Sequence, residues 1–346
     1  MTQPRRLVVD LLATSRNWSL PFEGLERLRA ATPVGWEVEF VEAAGPVQHE
    51  AGAASSPEAA VAAADAEIYY GFGITEQVFR SAAKLRWVHS AAAGVGRSLF
   101  PALRDGPVVF TNSAGVMGPS VAEHVLAVVL HFLRGLDAAI VLQREATWSK
   151  VPFNAPVTGV RELCESRVLV VGTGGLGAAI GARFSALGAE CVGVRRHPNL
   201  GRPPGFKHVV GPDALDAELA HANVLVLAAP LTPDTEGFLT AARIDCLPPG
   251  AIVVNVARGA LIDESALQLA LRAGKLRGAA LDVFREEPLT QDDALWKAPA
   301  MLITPHVAAI SPRLFWPRAL DLFLDNWERY RTGAPLRNVV DKDAGY

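Results

Sequence analysis

Short apolar runs alternate with stretches of helical period along the first third of the chain: RLVVDLL, PFEGLERLRAA, WEVEFVE, PEAAVAAAD, EIYYGF, TEQVFRSAA and LRWVHS. Strand and helix in alternation predict an α/β fold, with a parallel sheet and helices packed on its faces. VVFTN (108–112) closes this series, and a Gly/Pro turn then leads into a helix over 120–134. Residues 148–158, rich in proline and polar side chains and without clear period, read as a surface connection. A second series opens at RVLVVG (167–172) and continues through CVGVR, NVLVLAAP, AIVVNVAR and LRGAALDVF to MLITPH. Six strands with intervening helices predict a doubly wound domain. Residues 312–332 again carry helical period, with Leu320, Phe323, Leu324 and Trp327 on one face.

A chain of 346 residues exceeds what one hydrophobic core usually organises, so two domains are expected. Half of the residues are apolar and the formal charge is −3 at pH 7, without a Lys/Arg run. That field favours neither nucleic acid nor an anionic membrane, which leaves a small molecule as the expected partner. Cys164, Cys191 and Cys246 are odd in number and lack metal-ligand spacing. No metal site and no disulfide framework is expected from them, and reduced thiols suit the cytoplasm. The apolar run after Arg5 and Arg6 is interrupted by Asp10 and does not make a signal peptide; Val8 and Val9 suit a first strand instead. The longest helical apolar stretch, 125–133, falls far short of the roughly 20 residues of a membrane span.

GTGGLG (172–177) fits G-x-G-x-x-G where that pattern has a mechanism, between a strand core and a helix expected to run to about Leu187. Gly172 permits a tight turn, Gly174 lets backbone N–H groups approach a pyrophosphate, and Gly177 lets helix and strand pack closely. Gly175 and Leu176 open the helix, whose N-terminus favours negative charge. The next strand, CVGV, ends in Arg195, Arg196 and His197, not in the Asp or Glu that would accept from a ribose 2′-hydroxyl. A carboxylate there would repel a 2′-phosphate, whereas guanidinium groups hold one with charge-assisted bonds. NADP(H) is therefore the expected cofactor, with NAD(H) accepted less well.

Three further residues sit just beyond predicted strands, where ligands bind in an open α/β sheet. Arg258 follows AIVVNV in NVARGALIDESAL, in which Asp263 reads as the N-cap of the next helix. Glu287 lies in LDVFREEPL and His306 in LITPHVAA. A guanidinium can grip a carboxylate bidentately, and an imidazole beside an acidic partner can move a proton. Together they supply what reduction of an α-keto acid requires beside a dinucleotide site.

The segments GTGGLG, AAPLTPDTEGFL, NVARGALIDESAL, LDVFREEPL and TPHVAA, in that order and at compatible spacing, resemble the D-isomer-specific 2-hydroxyacid dehydrogenase family over most of the chain. The resemblance implies Arg258 as the substrate arginine, Glu287 as the acidic partner and His306 as the acid/base. It implies Pro230, Thr235, Val256, Ala257, Asp282 and His306 as further cofactor contacts, Asp282 near the nicotinamide carboxamide. Ala93 and Gly94, in HSAAAGVGR, match the backbone loop that binds the substrate carboxylate. Gly96 stands where the family commonly has Asp or Asn, which bears on substrate choice. Met117 is open to two readings, an approach to the nicotinamide or core packing. Phe72, Phe315 and Trp316 likewise read either as walls of a side-chain pocket or as packing.

The architecture implied is a Rossmann cofactor domain, 115–310, inserted in a smaller flavodoxin-like substrate-binding domain, 1–114 plus 311–346. A homodimer through the cofactor domain is implied by the same resemblance. Within the family the arginine pair favours a glyoxylate/hydroxypyruvate reductase-like enzyme acting on a 2-oxo acid or D-2-hydroxy acid. Two other readings stay open, a phosphoglycerate dehydrogenase-like enzyme and a non-catalytic dinucleotide-sensing corepressor.

Overall fold

The computed structural model describes residues 4–14, 18–44 and 55–346. The chain divides into one unit made of Met1–Val116 with Ser311–Tyr346 and a second made of Met117–Ile310. The first unit begins with five strands, β1 (Arg5–Asp10), β2 (Trp36–Phe40), β3 (Ile68–Gly71), β4 (Trp87–Ser90) and β5 (Val109–Asn112). Between them lie α1 (Phe22–Ala30), α2 (Pro57–Ala62), α3 (Glu76–Ser81) and α4 (Pro101–Arg104). The sheet is parallel throughout in the order β2-β1-β3-β4-β5. This is the flavodoxin-like order, whose strand sequence reverses beside β1. Two helix starts are fixed locally, because the hydroxyls of Ser56 and Thr75 accept from Ala59 N–H and Val78 N–H.

The second unit holds β6 (Arg167–Val171), β7 (Glu190–Val194), β8 (His208–Val210), β9 (Val224–Leu227), β10 (Ala251–Asn255), β11 (Leu276–Leu281) and β12 (Met301–Ile303). Its order, β12-β11-β10-β9-β6-β7-β8, is again parallel and reverses between β6 and β9, the doubly wound arrangement. The helices are α5 (Gly118–Leu133), α6 (Leu136–Arg144), α7 (Gly175–Ala186), α8 (Leu215–Leu219), α9 (Ala241–Cys246) and α10 (Glu264–Arg272). Side chains alternate between two cores. Leu169, Val171, Leu225 and Val253 face one, while Val168, Val170, Val226 and Val254 face the other. Burial on both faces is why these strands read as unbroken apolar runs.

Two elements depart from the sequence pattern. The sheet has seven strands where six were expected, because β8 is a three-residue, half-buried strand at the sheet edge. The helix expected over 120–134 is followed, after Gly135 with φ +68°, by α6, which has no buried residue and so no core-facing stripe. Residues 148–158 contain a short 3-10 turn, Val151–Asn154, as suits a surface connection. Among the described residues no single helix is long and apolar enough to cross a membrane.

At Ser311 the chain returns to the first unit and forms α11 (Phe315–Thr332), ended by Gly333 at φ +73°. Phe323 stacks on Tyr70 at 4.1 Å and on Trp87 at 5.5 Å between ring centroids, and Trp327 meets Trp36 edge-on. Residues beyond α11 then run antiparallel to β5, with a Thr111–Val339 bridge and a Val340 N–H bond to Phe110 O.

Candidate active site

Arg258, Glu287 and His306 follow three adjacent strands, β10, β11 and β12, whose last residues pair in register as Asn255 with Leu281 and Leu281 with Ile303. The loops leave the same edge, and contacts between them are tight. A Cβ on Gly259 would lie 1.9 Å from the Phe284 carbonyl carbon, so only glycine lets the Arg258 turn pass so close to the segment carrying Glu287. Phe284 N–H in turn donates to Glu287 Oε1 at 2.7 Å, and Glu287 Oε2 lies 2.7 Å from His306 Nδ1. A carboxylate can only accept here, so Nδ1 carries the proton of that bond.

The Arg258 backbone is extended, and Asn255 braces it by donating Nδ2 to Arg258 O and accepting from Ala257 N–H. The guanidinium donates to Ala257 O at 2.7 Å and makes no ion pair among the described residues. Its charge is thus not spent on a protein carboxylate.

Asp282 is 2% exposed and lies under the His306 turn. Its carboxylate accepts from Thr304 Oγ1 and from Val307 and Ala308 N–H at 2.9 Å each, while its carbonyl accepts from His306 N–H. These bonds hold His306 at φ +54°, a backbone state that a non-glycine residue rarely adopts unaided. Its position in LDVF was legible, but this grip on the next loop was not, because it depends on the β11–β12 pairing.

At the reversal between β6 and β9 the glycine turn has the shape a dinucleotide needs. Gly172 sits at φ +95° with a would-be Cβ 2.6 Å from Ala228 O, and a Cβ on Gly177 would meet Gly172 O at 1.8 Å. At Gly174, the residue before α7, a Cβ would meet nothing within 4 Å, and the amides of Gly175, Leu176 and Gly177 form the first turn of the helix, which has no carbonyl of its own to bond them. These residues fit a pyrophosphate. Pro230 and Thr235 belong to one turn, tied by Thr235 Oγ1 to Pro230 O at 2.8 Å, and Val256 and Ala257 are buried beside Arg258.

Arg195 and Arg196 leave the end of β7. Arg195 reaches Gly201 O at 3.4 Å, and Arg196 Nη2 lies 2.6 Å from Asp234 Oδ2. The arginines are evident in the sequence at the end of β7, whereas that carboxylate stands 38 residues downstream and arrives through the β6–β9 pairing.

In the first unit, Ala93 and Gly94 lie in the loop after β4, where Asn112 Nδ2 donates to Ala93 O. A Cβ at Gly96 would meet nothing within 4 Å, so packing does not require glycine there. Phe72, Phe315 and Trp316 are buried together, with Trp18 against both phenylalanines. Met117, in the second unit, packs against the core that contains Val121 and Val125. No group of three or more His, Cys, Asp or Glu suited to a metal ion occurs among the described residues.

Residues 126–308 match the family model described as D-isomer specific 2-hydroxyacid dehydrogenase, NAD binding domain. Glyoxylate/hydroxypyruvate reductase A of Salmonella newport (strain SL254) is 33% identical over 271 residues, covering 76% of this chain and 82% of that protein. A crystal structure of a D-isomer specific 2-hydroxyacid dehydrogenase from Xanthobacter autotrophicus Py2, in complex with NADPH and MES, is similar with TM-score 0.76 at 30% identity, covering 99% of this chain and 100% of that one. An NADPH-dependent glyoxylate/hydroxypyruvate reductase from Sinorhizobium meliloti, in complex with NADP and sulfate, gives TM-score 0.77 at 27% identity over 99% and 100% of the two chains. The chain therefore belongs to the D-isomer specific 2-hydroxyacid dehydrogenase family and is an NAD(P)-dependent oxidoreductase.

Proposed function

We propose that this enzyme reduces small 2-oxo acids, glyoxylate and hydroxypyruvate first among them, with NADPH preferred over NADH. The observation that carries the proposal is the linkage of Arg258, Glu287 and His306 across three neighbouring strand ends, with the His306–Glu287 bond at 2.7 Å. The cofactor preference rests on Arg195 and Arg196, which stand where an NAD site would place a carboxylate on the strand. The names of the relatives from Salmonella and Sinorhizobium support the substrates, and the NADPH-dependent Sinorhizobium enzyme and the NADPH complex from Xanthobacter support the cofactor choice.

Bound NADPH supplies the hydride. The amides of Gly175, Leu176 and Gly177 hold its pyrophosphate, and the arginine pair holds its 2′-phosphate. Arg258 grips the substrate carboxylate and stabilises the negative charge that develops on the carbonyl oxygen. In the first unit, the Ala93 and Gly94 amides offer donors that suit a substrate carboxylate. Glu287 fixes the His306 ring through Nδ1, which assigns Nε2 as the atom that delivers the proton. His306→Gln should lower reductive kcat by about a hundredfold to ten-thousandfold while NADPH still binds. A panel of 2-oxo acids assayed with both reduced cofactors tests the whole reading. NADH preference would remove the role given to Arg195 and Arg196, and no turnover of any 2-oxo acid would remove the substrate class.

Two further readings concern assembly and place. The second unit exposes Leu136, Ile140 and Val141 on α6, followed by Trp148, 95% exposed, and Val151. An apolar surface of this kind supports a homodimer through that unit, to be checked by the solution mass. Cys164, Cys191 and Cys246 are all free thiols, which supports a cytoplasmic location.

A further inference from the structure

We propose that Asn112 is a positioning residue for the substrate carboxylate, because it locks the peptide planes that aim the Ala93 and Gly94 N–H groups. The inference rests on the reading of that loop given under Proposed function and adds the device that orients it.

Asn112 is the last residue of β5 and is 6% exposed. Its Nδ2 donates to Ala93 O at 2.8 Å, and its Oδ1 accepts from Ala114 N–H at 3.1 Å. These partners settle which way the amide faces, since a carbonyl only accepts and a backbone N–H only donates. Next to it, Ser113 N–H donates to Ala92 O at 3.2 Å and Ser113 Oγ to Ser90 O at 2.9 Å. Two consecutive carbonyls, Ala92 and Ala93, are thus drawn toward the end of β5. In a planar trans peptide the carbonyl and the following N–H point in opposite directions. The N–H groups of Ala93 and Gly94 must therefore both point away from β5, and neither donates to a protein acceptor among the described residues. Successive amides aimed the same way form a concavity that suits an anion. An aspartate at 112 would accept from Ala114 but offer Ala93 O no donor, and would add charge near the carboxylate.

Asn338 braces this corner without touching Ala93. Its Nδ2 donates to Asn112 O at 3.2 Å and to Ala114 O at 2.8 Å, and its own carbonyl accepts Asn112 N–H. It sits at φ +54°, so Asn338→Gly removes the side-chain bonds without straining the backbone. That variant separates damage to the corner from misaim of the loop.

The test compares Asn112→Asp, Asn112→Ala and Asn338→Gly with the parent, using glyoxylate and glyoxylamide as substrates and calorimetric binding of oxalate to the NADPH-loaded enzyme. Both Asn112 variants should raise KM for glyoxylate and weaken oxalate by about tenfold to a hundredfold, with kcat and KM for the amide nearly unchanged. Asn338→Gly should lower the melting temperature and leave KM alone. Should either Asn112 variant fail to fold, Asn112→Ser keeps a shorter donor and should fall in between. Unaltered glyoxylate KM, equal losses for acid and amide, or a matching KM rise in Asn338→Gly would overturn the proposal. A parent enzyme that treats acid and amide alike would instead remove the carboxylate reading of Ala93 and Gly94, and this proposal with it.

Discussion

An arginine that already holds a carboxylate must release or share it before gripping a phosphate. Arg196 and Asp234 are in that position at 2.6 Å, with side chains 41% and 76% exposed, so water weakens the pair. Asp234→Asn should tighten binding of 2′,5′-ADP by about twofold to fivefold, as loss of an exposed competing ion pair allows. The same change made on Arg196→Gln should do nothing. Weaker binding in the single variant would mean that Asp234 aims Arg196 instead of competing for it. The placement of Arg258, Glu287 and His306 directly after apolar strands was legible, and the structure sets those strands side by side. Asp234 and Asn112 were not legible, because each acts on a residue that is close only through strand order. Asp282 was found by its place, but its bonds to Val307 and Ala308 N–H come from the turn that it organises.

The three strand ends β10, β11 and β12 act as one mount, and Gly259 is its tightest point. Gly259→Ala would drive a methyl into the backbone at Phe284 and push apart the turns bearing Arg258 and Glu287. We expect about a tenfold or greater loss of kcat/KM and about 1–3 kcal/mol of stability, although Gly259 itself carries no reacting group. Thermal unfolding and steady-state kinetics on the variant check this, and wild-type values in both would contradict it. Burial on both sheet faces made β6, β7, β9, β10 and β11 readable as apolar runs. Asp263 was readable as a cap, and its carboxylate does accept Ala266 N–H at 2.9 Å. Elements with little burial left no such trace: β8 is a half-buried edge and α6 buries nothing.

At the scale of the molecule, the first unit carries two buried titratable groups with opposite acid responses. Burial raises the Asp10 carboxyl from 3.8 to about 6, partly offset by the bond from the Tyr69 hydroxyl. Burial lowers the His89 imidazole from 6.5 to about 3. Between about pH 4 and 6, folded Asp10 keeps a proton that the unfolded chain has released, so stability falls as pH rises. Between about pH 3 and 6.5 the unfolded chain protonates His89 and the folded chain does not, so stability rises with pH. The two slopes overlap and largely cancel. Asp10→Asn should uncover the histidine slope, a loss of about 3 kcal/mol on acidification from about pH 6.5 to about pH 4. Urea midpoints across that range measure it, and an unchanged profile would rule it out. Two sheets and an inserted cofactor unit were foreseeable from the alternating pattern and the family motifs together, while this balance of charges depends on which side chains the sheet faces enclose. The first unit is also assembled from the two ends of the chain, since α11 and the segment pairing with β5 come last. During synthesis residues 117–310 emerge as a whole folding body while Tyr70, Trp87 and the outer edge of β5 still await their cover. In that interval the nascent protein is most open to wrong association, and it closes only when residues 311–340 leave the ribosome.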